Sequence, residues 1–213
     1  MMHLTLPDGP TAGLLQQALM KPVDDWRGRH CTFELDLPVI ERMVYYAPPP
    51  DHWPVTCNRM HPFVADRPAG LPEGAVFALL RIGCGYVGLL PLGLDAAYGW
   101  LAAEAGRLVL RVGGHGSDLP DGEWPLLAWA RGDDPYQVFA DTFAQADAVI
   151  PTFALREAKA YPTPFAYLGW CTWEEYRREI DAALLCDAAE ALQAGPVPVR
   201  YMLIDDGHQD FAN

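Results

Sequence analysis

Basic residues are scarce in this chain. Lys+Arg total 15 against Asp+Glu 28, a formal net charge of -13. A field of that sign repels phosphate backbones and anionic lipid surfaces, so neither nucleic acid nor membrane is expected as a partner. Cysteine is sparse and unclustered: Cys31, Cys57, Cys84, Cys171 and Cys186 form an odd, widely spaced set without a CxxC pair. A disulfide framework or structural zinc site needs pairs or clusters, so the thiols are read as reduced and the protein as cytoplasmic. No apolar run reaches the length of a membrane span, and Met1–Asp8 lacks the cationic and apolar regions of a signal peptide. The histidines are scattered, with no HxxxH or HExxH spacing. No metal and no cofactor is expected.

What the chain does have is apolar and aromatic mass. Hydrophobic residues make up 51% and aromatics 11% (Trp 7, Tyr 9, Phe 8), enough for a substantial core and for surfaces that stack on sugars. Cys31, Phe33, Leu35 and Leu37 alternate with Thr32, Glu34 and Asp36, the period of a strand with one wet face. Further strands are expected at 43–46, 75–82, 85–91, 97–102, 107–112 and 126–130, separated by Gly and Pro clusters. Many short strands between turn signals predict an antiparallel β-sandwich over residues 1–132.

The period then changes. Asp134 can cap a helix with Pro135 at its first position, and Tyr136, Phe139, Ala140 and Phe143 follow at helical spacing. This helix and a linker are assigned to 133–164. From 165 to 213 the pattern is strand (165–171), helix (about Asp181 to Gln193, with a stripe of Leu184, Leu185, Ala188, Ala191 and Leu192) and strand (199–204). That is a βαβ unit with parallel strands, read as the start of a (β/α)8 barrel. A complete barrel needs roughly 250 residues, so the barrel is expected to be truncated here and the chain to be a fragment or a shortened gene product.

Both strands end in unusual residues. The second runs Tyr201-Met202-Leu203-Ile204-Asp205-Asp206-Gly207, and ligands bind beyond the carboxyl ends of parallel strands. An Asp-Gly turn capping the next helix is the plainer alternative. Neighbouring residues on a strand point to opposite sides, so the pair is ill placed to flank one scissile bond at the roughly 5–5.5 Å of a retaining glycosidase. Holding substrate hydroxyls suits it better than acid/base work. At the end of the first strand, Trp170 and Trp173 flank Cys171 and Thr172, and an indole face suits a sugar ring. Three other motifs read as structure. Gly83-Cys84-Gly85-Tyr86-Val87-Gly88 spells GxGxxG but continues extended, without the helix a dinucleotide site requires. His115-Gly116-Ser117-Asp118 holds triad residue types in one turn, whereas triads are assembled from distant segments. Cys171 has no nearby base to activate it.

Leu168-Gly169-Trp170-Cys171-Thr172-Trp173, followed by a helix and Met202-Leu203-Ile204-Asp205-Asp206-Gly207-His208-Gln209, resembles the signature of the raffinose synthase and seed imbibition protein group. That group belongs with the α-galactosidases of glycoside hydrolase family 36. Tyr86–Leu92 and Asp134-Pro135-Tyr136 are similar to weaker stretches of the same family. The resemblance implies a β-sandwich followed by a catalytic barrel that cleaves or transfers α-galactosyl groups with retention. It implies that Asp205 and Asp206 bind galactose hydroxyls and that Trp170 and Trp173 line the pocket. The nucleophile and acid/base would be aspartates on later strands, so no catalytic residue is expected within these 213 positions. His208 stands where the family usually has Trp, and Glu174-Glu175-Tyr176 replaces a more usual Asp-Ala-Phe. The expected ligand is an α-galactoside. The competing reading is a non-catalytic carbohydrate-binding or scaffold sandwich with 165–213 as a docking tail.

Overall fold

The computed structural model describes residues 2–8, 11–18, 23–25, 28–47, 61–83, 85–94, 97–114 and 122–208. Cys57, Cys84, the 48–50 proline run, the 115–118 turn and Gln209 lie outside them. Contacts divide the chain into two compact units, Met1–Arg156 and Glu157–Asn213.

Among the described residues, the first unit is built on two six-stranded sheets. The first sheet contains β1 (Met2–Thr5), β3 (Val23–Asp25), β4 (Gly28–Asp36), β9 (Gly93–Leu94), β10 (Ala97–Glu104) and β11 (Arg107–Gly114). Its order is β1-β4-β11-β10-β9, with β3 pairing onto β4. The second runs β2-β12-β8-β7-β5-β6, using β2 (Ala12–Ala18), β5 (Ile40–Ala47), β6 (His61–Ala65), β7 (Phe77–Ile82), β8 (Gly85–Pro91) and β12 (Glu123–Gly132). The alternation read from the sequence is what makes a shared core. Leu4, Phe33, Leu35, Leu101, Leu108 and Leu110 of one sheet meet Met43, Leu80, Val87, Leu89, Leu127 and Trp129 of the other in one buried cluster. The pairing is antiparallel with one departure: β1 lies parallel to β4, Met2 opposite Phe33 and Thr5 opposite Asp36. A parallel neighbour needs a long crossover, and here the intervening chain supplies β2 of the opposite sheet.

The glycines at 83–88 turn a hairpin. Ile82 pairs with Gly85, Gly83 has φ +49°, and β8 continues antiparallel to β7. No helix N-terminus follows, so the motif offers no phosphate cradle.

Helix α1 (Pro135–Asp147) begins as the sequence indicates, with the Asp134 carboxylate accepting from the Tyr136 amide and Pro135 in the first turn. Its buried stripe is offset from the expected one. Val138, Thr142 and Ala146 are buried, whereas Tyr136 is 84% exposed. The helix packs on β8 and β12 as a third layer within the first unit, where the sequence reading had it as a connector. Thr142 is tolerated on that face because its hydroxyl donates to the Val138 carbonyl at 2.7 Å. Gly88 makes the close approach possible, since a Cβ there would lie 2.3 Å from Thr142 Oγ1 and 3.2 Å from Val138 Cγ1. Gly88→Ala should lower stability by roughly 1–3 kcal/mol through overpacking, read as a drop in the thermal midpoint.

The second unit holds β13 (Gly169–Cys171), α2 (Trp173–Tyr176), α3 (Ala182–Ala194) and β14 (Tyr201–Leu203). Both strands are shorter than the sequence suggests, and in the first of them residues 163–166 form a 3-10 turn in place of the expected strand start. Asp181 caps α3, its carboxylate accepting from the Leu184 amide at 2.8 Å. Of the expected stripe, Ala188 is buried and Leu184, Leu185 and Leu192 are half-buried, whereas Ala191 is exposed. β13 and β14 are parallel, with Gly169 opposite Tyr201 and Cys171 opposite Leu203. Among the described residues, no helix is long and apolar enough to cross a membrane.

Candidate functional site

The carboxyl ends of β13 and β14 meet in a set of short polar contacts. Thr172, fully buried, follows β13. Its amide donates to the Leu203 carbonyl at 3.1 Å, and its hydroxyl accepts from the Asp205 amide at 3.0 Å. The buried Thr172 hydroxyl and the Asp205 amide thereby satisfy each other. The Asp205 carboxylate is held in turn. Oδ1 accepts from the Asp206 amide at 2.7 Å, and Oδ2 lies 3.4 Å from Cys171 Sγ. Asp206 Oδ1 accepts from the Gly207 amide at 3.0 Å, and Oδ2 accepts from Arg178 Nε at 2.8 Å.

The two carboxylates therefore diverge, one turned onto β13 and the other toward the loop after α2. His208 folds back so that its Nδ1 lies 2.8 Å from the Asp205 carbonyl oxygen. Both aspartates are half-buried, which leaves part of each accessible. Each oxygen has one donor in these contacts and retains a lone pair for a hydroxyl.

The tryptophans sit beside this turn with different partners. Trp170, on β13, packs edge-on against Tyr176 with ring centroids 5.7 Å apart. Trp173 opens α2, and the Arg177 guanidinium lies 5.2 Å from its ring centre. Both are half-buried. The sequence drew attention to all four of these positions. It gave no signal for Arg178, an exposed cation on a loop, or for Thr172 as the buried clip between strands. Thr172→Val keeps the shape but leaves the Asp205 amide without its acceptor, at a cost of about 1–3 kcal/mol. Faster hydrogen exchange at the Asp205 amide is the expected readout.

A groove among the described residues of the second unit lies away from this turn. About 470 Å3 lined by Thr163, Pro164, Tyr167, Arg200 and Tyr201 lies at the opposite, amino ends of β13 and β14. In the first unit, His3, Glu34 and Asp36 bring three potential metal-ligand atoms within 4.8 Å of one another. Those atoms are already engaged. Arg107 pairs with Glu34, while Thr5 donates to Asp36 at 2.7 Å and His3 Nδ1 lies 3.1 Å from its other oxygen. The Thr5 hydrogen bond, followed by that of His3, holds the Asp36 carboxyl below its usual pKa. A donor set so occupied is a cross-strand polar ladder.

The strand-end turn and the segment leading to it are where the chain resembles known proteins. Residues 125–213 match the family model for raffinose synthase or seed imbibition protein Sip1. Over that region the chain is related to the raffinose synthase group. Its similar proteins include a probable galactinol–sucrose galactosyltransferase 1 of Arabidopsis thaliana, 34% identical over 39% of this chain and 11% of that protein. A probable galactinol–sucrose galactosyltransferase 5 of the same plant is 27% identical over 60% of this chain and 17% of its own length. Stachyose synthase of Pisum sativum is 25% identical over 38% and 9% respectively. The chain thus spans less than a fifth of the length of these relatives.

Proposed function

We propose that this chain is part of a cytoplasmic, retaining α-galactosidase or α-galactosyltransferase of the raffinose synthase kind, acting on galactosyl oligosaccharides. Residues 165–213 are its first barrel strands. The observation that carries the reading is the parallel β13–β14 pair, with two half-buried, diverging carboxylates at the ends where such sheets bind ligands. Asp205 and Asp206 accept hydrogen bonds from galactose hydroxyls, and Trp170 and Trp173 wall the same pocket. Their divergence suits hydroxyl binding and is wrong for acid and nucleophile facing each other across one bond. These 213 residues then hold the sugar, while the nucleophile and the acid/base belong to other strands of the barrel.

The 213-residue chain should accordingly bind galactosides without turning them over. Incubation with an aryl α-galactoside should release no phenol above the buffer rate, while raffinose should produce a saturable heat on titration. Robust hydrolysis would show that the chemistry lies within these residues and would overturn the assignment.

A further inference from the structure

The first unit carries an arrangement that the strand-end site does not use. Residues 73–76 run along the edge of β10, where the Ala75 and Leu101 amides and carbonyls bond reciprocally at 3.1 and 2.7 Å. Beside this contact lies a groove of about 340 Å3 lined by Glu73, Gly74, Val76, Tyr98, Gly99 and Trp100. One wall is an aromatic platform. Tyr98 and Trp100 stack with centroids 5.3 Å apart and planes 26° from parallel. Gly113 on β11 lets them lie close to the sheet, since a Cβ there would be 3.1 Å from the Trp100 ring and 3.4 Å from Tyr98 Cζ. Trp100 is 7% exposed and Tyr98 39%, so the phenol is the ring within a ligand's reach.

The groove also holds a fixed carboxylate. Glu73 Oε1 accepts from Trp100 Nε1 at 2.5 Å, Oε2 pairs with Arg111, and Arg111 also pairs with Glu104 at 3.1 Å. Arg111 is buried and its Nε has no partner. An ion network drawn into the surface of a sheet, with one N–H unsatisfied, costs desolvation that apolar residues of similar size would avoid. What it accomplishes is to fix the Glu73 carboxylate, about a third exposed, at the edge of the aromatic platform.

We infer that this groove is a second saccharide-binding site, separate from the strand-end aspartates, which takes a neutral sugar by stacking on Tyr98 and by hydroxyl donation to Glu73. The inference rests on the reading that the protein handles galactosyl oligosaccharides. The chemistry selects the ligand class. The net charge of -13 and the two local carboxylates disfavour anions. An organic cation would be enclosed by rings at angles to one another, whereas these two are stacked and Arg111 already compensates Glu73. A flat ring beside an acceptor matches a pyranose, with its C–H face and its hydroxyl rim, and the volume lies within the range of small-molecule sites.

Titration of the 213-residue chain with raffinose, followed calorimetrically and by Tyr98 ring-proton shifts, tests this. In an Asp205→Asn/Asp206→Asn background, raffinose should still bind and still shift Tyr98. Adding Tyr98→Ala should weaken that residual binding by about tenfold or more, the loss typical of an aromatic anchor. Adding Tyr98→Phe should retain most of it, and Glu73→Gln should weaken it. If Tyr98→Ala loses its far-UV spectrum, the Tyr98 shift in the folded aspartate variant decides. Loss of all binding in the aspartate variant overturns the groove and leaves the strand-end site standing. Binding unaffected by the aspartate changes but abolished with Tyr98→Ala does the reverse. A Tyr98 shift with choline and none with raffinose overturns the inference in favour of a cation site.

Discussion

Gly207→Ala should dismantle the strand-end turn. Gly207 has φ +104°, outside the conformations an L side chain adopts comfortably. A Cβ there would lie 2.6 Å from Arg178 Cα, 2.6 Å from its carbonyl oxygen and 2.8 Å from its carbonyl carbon. All three atoms are backbone, so no rotamer change relieves the clash. Either the 205–208 turn or the loop after α2 must move. Strain at such a φ costs about 1–3 kcal/mol, and overpacking against fixed atoms adds a further ~1–3 kcal/mol. The Arg178–Asp206 pair and the Asp205–Thr172 contact flank this turn and should loosen with it. The expected result is selective. Hydrogen-exchange protection should fall over 168–208, while Leu101, Leu110 and Leu127 in the sandwich core keep theirs, and raffinose binding at the aspartates should be lost. Wild-type protection across 168–208 in the variant would mean that this close contact is not what shapes the turn.

How much of this was legible in the sequence varies with how local its cause is. The strands at 75–82, 85–91 and 107–112 and the start of α1 could be read directly, because alternation and an Asp-Pro cap act over a few residues. The buried face of α1 could not. Tyr136, Phe139 and Phe143 are the bulkier apolar residues, but β8 and β12 present Gly88 and Gly132 to the helix, and the smaller Val138, Thr142 and Ala146 are the residues buried there. Phe139 and Phe143 instead join Phe77 in an aromatic rim, with centroids 4.6–5.6 Å apart. The parallel β1–β4 pairing was equally hidden, since nothing in Met2–Thr5 encodes direction. In the second unit the Asp205-Asp206 pair stood out because two adjacent carboxylates at a strand end are rare. Thr172 and Arg178 did not, because their roles depend on which strand becomes the neighbour. The Glu73–Arg111–Trp100 cluster was invisible for the same reason: its members lie 27 and 38 positions from Glu73 and meet only at the sheet surface.

Replacing the two aspartates by asparagine should separate sugar binding from folding, with unequal consequences at the two positions. Asparagine keeps the shape and one acceptor oxygen, so the Asp206 and Gly207 amides can retain their partners. What is removed is the charge. A hydrogen bond to a charged group contributes about 1.5–3 kcal/mol, so each substitution should weaken galactose binding by roughly ten- to a hundredfold. Asp205→Asn leaves its surroundings otherwise unchanged, since its other oxygen faces only the Cys171 thiol at 3.4 Å. Asp206→Asn also releases Arg178, whose side chain is 68% exposed, and an exposed pair of this kind contributes about 0–1 kcal/mol to stability. The thermal midpoint should therefore hardly move in either variant. Arg178→Ala gives the opposite sign for binding. Arg178 Nε donates to an Asp206 oxygen that a sugar hydroxyl would share through its other lone pair, so removing it should leave affinity unchanged or tighten it. Calorimetric titration with galactose and raffinose across the three variants decides between roles. Weakening in all three, in step with lowered midpoints, would mean that Asp205 and Asp206 only hold the turn together. Weakening confined to the two asparagine variants at constant stability means that they hold the sugar.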